Sequence, residues 1–155
     1  MIDRLKSFLL GNPESAPREF GDLQVAVVAL LIRAATSDAR FGEDERETIR
    51  RIAADSFGLT PEAVLSLVKE AEGEEAETLD LHRWTQAIKR AYSEEERVGV
   101  IEKMWEVVYA DGVLDDYEAN LLRRIAGLIY VPDRESGQAR QRVIARLGIP
   151  PRKQG

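Results

Sequence analysis

A chain of 155 residues with 44% apolar content is the size of one globular domain, large enough to bury a core and too small for a multidomain enzyme. It has no cysteine and one histidine, His82, which excludes disulfides, thiolate metal sites, cysteine nucleophiles and any site needing two histidines. With 28 acidic against 22 basic side chains its net charge is −6, the wrong sign for a general nucleic-acid binder, which must neutralise phosphates.

Apolar residues recur at helical spacing almost throughout, and alternating strand patterns are nearly absent. A short helix is expected over 2–10, stopping at Gly11 before a linker that holds Pro13 and Pro17. Its Ile2, Leu5, Phe8 and Leu9 share one face beside only Arg4 and Lys6, so docking on the core or a partner is expected rather than on a membrane surface. The next helix, over 20–38, is apolar around its whole axis, the mark of a central bundle helix. Its longest apolar run, Val25 to Ile32, falls well short of the roughly 20 residues that span a bilayer. A helix over 43–57 ends at Gly58, where glycine tolerates positive φ. Thr60 and Pro61 open another as N-cap and first helical residue, running to about 72.

The acidic stretch from Gly73 to Thr78 reads as a solvated connector. Asp80 is placed as the cap of a helix through Tyr92. Ser93-Glu-Glu-Glu96 forms a capping box for a helix reaching 109 or 110. Two more helices are expected over 116–130 and 135–147. The pattern predicts an all-α protein, a single bundle of seven to eight helices: 1–19 as N-terminal helix and linker, 20–148 as the helical domain, and 149–155 as a disordered tail. With no export segment in view, a cytoplasmic location is expected.

A shift of 73 positions aligns two segments without a gap. Asp38-Ala-Arg-Phe-Gly-Glu-Asp-Glu45 falls on Asp111-Gly-Val-Leu-Asp-Asp-Tyr-Glu118, and Ile49-Arg-Arg-Ile-Ala53 on Leu122-Arg-Arg-Ile-Ala126. Upstream, Val27, Val28, Leu31 and Ile32 meet Val100, Ile101, Met104 and Trp105. This is the pattern of a duplicated helix–turn–helix hairpin, expected to pair about a pseudo-twofold axis around one core. Asp38 and Asp111 stand where each first helix ends, against the negative end of its macrodipole. Glu45 and Glu118 follow seven residues on, in the first turn of the second helix. Four converging carboxylates are costly unless protons, basic groups or a hard cation compensate them, and oxygen-only ligands favour Ca²⁺, Mg²⁺ or Mn²⁺. The same acids also fit plain turn chemistry: Asp115 with Glu118 and Gly42 with Glu45 as capping boxes, and both aspartates as Asx turns. The spacing is not that of an EF-hand.

Ala110-Asp-Gly-Val-Leu-Asp-Asp-Tyr-Glu118, preceded by Met104-Trp-Glu-Val-Val-Tyr109 and followed by Leu121-Leu-Arg-Arg-Ile-Ala126, resembles the signature hairpin of TerB-like proteins, the tellurite-resistance B proteins and their relatives. The resemblance covers about residues 20–147. It implies an all-α duplicated fold without enzymatic activity, whose repeated acids, suspected of binding metal, map onto Asp38, Glu45, Asp111 and Glu118. It also implies a part in resistance to tellurite or other chemical or phage stress, through protein complexes at the cytoplasmic membrane face. Ala39 replaces the family's glycine after the first aspartate, making Asp38 and Glu45 the weaker half. A co-chaperone relative suggests no J domain here, since the only histidine lies in His82-Arg-Trp84.

The remaining residues read plainly. Leu79, three before His82, rules out the Glu-x-x-His motif of di-iron bundles, and no nucleophile–base pair or phosphate loop is visible. Trp84 and Trp105 read as core, His82 as a surface or half-buried residue, and Arg50-Arg51 and Arg123-Arg124 as ion-pair partners of the nearby acids. The competing functional reading is a helical protein-interaction module whose acids only cap helices.

Overall fold

The computed structural model describes residues 21–36, 42–77, 81–110 and 116–149. Among them are seven helices and no strand: α1 (Asp22–Ala35), α2 (Glu43–Phe57), α3 (Pro61–Glu77), α4 (His82–Ala91), α5 (Glu94–Val108), α6 (Asp116–Leu128) and α7 (Asp133–Leu147). The all-α bundle expected from the periodicity is the fold observed. The helix expected over 2–10, the Asp80 cap, Asp115 and the tail from 150 onward lie outside the described residues; Ile149 packs partly against the core.

Because α1 is apolar on every side, it has to be surrounded. Ten of its 14 residues are buried, and it packs against α2, α3, α4, α5 and α6. The α5 helix joins this centre to α7, which rests on α5 and α6. Local chemistry sets the helix ends. Ser93 Oγ accepts from the Glu96 N–H at 3.3 Å while Glu96 Oε1 accepts from the Ser93 N–H at 2.9 Å, the reciprocal box expected for α5.

Three helices stop with a left-handed residue whose successor reaches back to satisfy a carbonyl. Gly58 and Gly148 have φ of +61° and +67°, and the N–H groups of Leu59 and Ile149 donate to Ala54 and Ile144. The third such residue is Tyr130, at φ +60°, with the Val131 N–H donating to Ala126 O at 2.8 Å. Pro132 pushes Val131 out of the helical region, and Val131 is buried, so the turn must fall on the tyrosine. This ends α6 two residues before the expected 130. At such a position alanine carries the strain without relief, whereas glycine does not. Tyr130→Gly is therefore expected to be more stable than Tyr130→Ala by about 1 kcal/mol in urea unfolding, reversing the usual helix ranking. The opposite order would mean that residue 130 is not left-handed in solution.

One expectation is overturned. The stretch from Gly73 was read as a connector, but α3 continues through it to Glu77. Its acids pair with cations from three other helices: Glu72 with Arg46 at 2.7 Å, Glu74 with Arg83 at 3.4 Å and Glu75 with Arg33 at 2.8 Å. These tertiary pairs offset the roughly 1 kcal/mol that a helical glycine costs.

Helix boundaries and burial also coincide at the 73-residue shift. Ala35 and Val108 close α1 and α5, and Glu43 and Asp116 open α2 and α6. The pairs Leu31 and Met104, Ile49 and Leu122, and Ile52 and Ile125 are buried alike.

Candidate metal centre

Of the four acids singled out by sequence, Asp38 and Asp111 lie outside the described residues. The other two occupy matching places. Glu45 is the third residue of α2 and Glu118 the third of α6, each in the turn where the helix dipole favours a negative charge. Both are buried, at 7% and 5% exposure. Glu45 Oε1 accepts from the Gly42 N–H at 3.3 Å, one half of a capping box whose other half a glycine has no side chain to supply. Gly42 also leaves room for the carboxylate: a Cβ there would lie 3.4 Å from Glu45 Oε1.

A family model described as Tellurite resistance protein TerB matches residues 24–141. The chain belongs to the TerB family. No curated protein and no solved structure matches it. The matched span of this TerB-family chain holds both acidic turns, from Asp38 to Glu118. Among the described residues no helix is long and apolar enough to cross a membrane.

The donor set suits a hard cation. Two buried carboxylates without thiolate or imidazole fit Ca²⁺, Mg²⁺ or Mn²⁺ rather than zinc or copper. Among the described residues no group of three or more acids or histidines comes together, so these residues supply one donor from each hairpin.

The arginine pairs divide. Arg50 reaches Glu43 at 3.3 Å and Glu47 at 3.2 Å, and Arg51 pairs with Glu106 across to α5. Arg123 and Arg124 are exposed and make no ion pair among the described residues, against expectation: on α6 they face solvent, with no acid of a neighbouring helix within reach. Trp105 is core, its Nε1 donating to Ser136 Oγ at 3.3 Å, and Trp84 is buried under the Arg33 guanidinium. His82 is exposed, with a ring nitrogen 3.3 Å from Gln86 Nε2.

Sequence reasoning missed an ionic network between α5 and its neighbours. Glu106, only 9% exposed, holds Arg51 of α2 and Arg146 of α7. Glu102 holds Arg142 at 2.7 Å and Arg146 at 3.1 Å. The signal was present as two i,i+4 pairs, Glu102/Glu106 and Arg142/Arg146. Burial pushes the Glu102 carboxyl up, but hydrogen bonds from Arg142 and Arg146 outweigh it and hold the group below its ordinary 4.5. A folded value below the unfolded one means that the contribution is complete above the unfolded value and fades as pH falls through the folded one. Glu102→Gln is thus expected to be less stable than the parent at neutral pH, the gap closing in acid below about pH 4. Urea midpoints at both pH values check this; a gap unchanged in acid would refute the ionic role.

Proposed function

We propose that this TerB-family chain is a non-catalytic stress-response accessory domain that holds a divalent cation through Asp38, Glu45, Asp111 and Glu118, and acts through a protein partner at the cytoplasmic membrane face. The observation that carries the reading is the pair Glu45 and Glu118, equivalent under the 73-residue shift and both buried at a helix start. A buried carboxylate is costly, and the helix dipole returns only about 0.3–1 kcal/mol. A cation shared with the aspartates that close the preceding helices supplies the rest and gives the duplication a purpose. Among the described residues the lone histidine is exposed and bonded to Gln86, which supports the absence of catalysis.

The test is a thermal melt of EDTA-stripped protein, repeated with millimolar Ca²⁺, Mg²⁺ and Mn²⁺. A cation at 100-fold its Kd adds about 2.7 kcal/mol and raises Tm by several degrees. Asp111→Asn with Glu118→Gln is expected to abolish that rise. The Glu45 to Gly42 bond favours a second reading, in which the acids only cap helices and the chain is an interaction module. That reading predicts flat melts in all three cations and a loss of about 0.5–2 kcal/mol in the variants.

A further inference from the structure

Away from the acidic turns, a cavity of about 210 Å³ lies between the first two turns of α1 and one face of α4. Val25, Ala26 and Ala87 give it an apolar floor, Trp84 forms a wall, and Arg83 and Arg90 stand at its two ends. The arginines are seven residues apart, two helical turns or about 10 Å, so both guanidinium groups serve one side of the space. Arg90 makes no ion pair among the described residues, and Arg83 has only a loose contact with Glu74 at 3.4 Å. The α1 helix begins at Gly21, which brings no side-chain acceptor to the first-turn N–H groups. Trp84 is 2% exposed, and its Nε1 is sealed from solvent with no hydrogen-bond partner. Buried donors nearly always have an acceptor, and each exception asks for an explanation.

We propose that this cavity is a binding site for a small organic carboxylate. The apolar part of such a molecule covers Val25, Ala26 and Ala87, its carboxylate meets Arg90 and Arg83, and an oxygen at the Trp84 wall supplies the acceptor that the indole lacks. Asp22 also lines the space and is engaged in an interaction of its own. With Glu74 near Arg83, it keeps the local positive charge small, which selects a singly charged organic acid over phosphate or another polyanion.

The chain has two tryptophans, so its two indole N–H resonances make a simple probe. ¹⁵N-labelled protein in EDTA, which keeps the result apart from the cation site, is titrated with benzoate, with phosphate and with chloride at matched ionic strength. Benzoate is expected to shift the Trp84 resonance saturably and leave that of Trp105, already bonded to Ser136, in place. Arg90→Gln, a substitution at an exposed position, is expected to weaken benzoate about tenfold, the worth of one charge-assisted hydrogen bond. No saturable shift, an equal shift with chloride, tighter binding of phosphate, or an unchanged affinity in Arg90→Gln overturns the proposal.

Discussion

Leu31→Ala is expected to destabilise the protein by about 3–5 kcal/mol, against about 0.5 kcal/mol or less for Leu65→Ala. The contrast follows from position. Leu31 is fully buried on α1, walled in by five helices, whereas Leu65 on α3 is 56% exposed. Removing three methyl-equivalent carbons from a site whose walls belong to separate rigid helices leaves a cavity that cannot collapse, which places the cost at the upper end of the range. Since domains of this size are stable by about 5–15 kcal/mol, the variant is expected to lose a third or more of its margin. Urea unfolding followed by helical ellipticity measures it; a loss under about 1.5 kcal/mol would show that α1 is not enclosed as described.

Glu106→Gln is expected to cost about 1–3 kcal/mol. Breaking a fully buried ion pair costs about 3–5 kcal/mol because a charge is stranded. Here the stranded partners are half exposed: the side chains of Arg51 and Arg146 keep 52% and 47% of their surface, so both turn to water and the cost falls. Glu106→Leu is expected to be milder than Glu106→Gln, since it removes the buried acceptor and fills the space. A double-mutant cycle between Arg51 and Glu106 isolates the pair; a coupling of zero would show that the network is decorative.

The readable parts of the fold were those decided within a few residues. Gly58, Thr60-Pro61 and the Ser93 box announced their helix ends because each end is made by neighbours in sequence. The run of α3 through Gly73 was not readable, because Arg33, Arg46 and Arg83 arrive from other helices to hold it. The exit at Tyr130 follows from two demands acting together, Pro132 against continuation and Val131 for burial, and only the first is written locally. For the site, the repeat singled out Glu45 and Glu118, but a spacing cannot tell that both are buried. Trp84 read correctly as core, yet the missing partner of its Nε1 depends on what α1 brings to face α4.

The central place of α1 also fixes how the molecule comes apart. A helix in contact with five others cannot be exposed while they stay assembled, so its amide hydrogens are expected to exchange only when the whole chain unfolds. The α7 helix, resting on α5 and α6 and clasped by arginines that water already reaches, can lift away on its own. The protein therefore carries a slow-exchanging axis and a detachable flank, and partial opening begins at the flank, where Arg142 and Arg146 let go of Glu102.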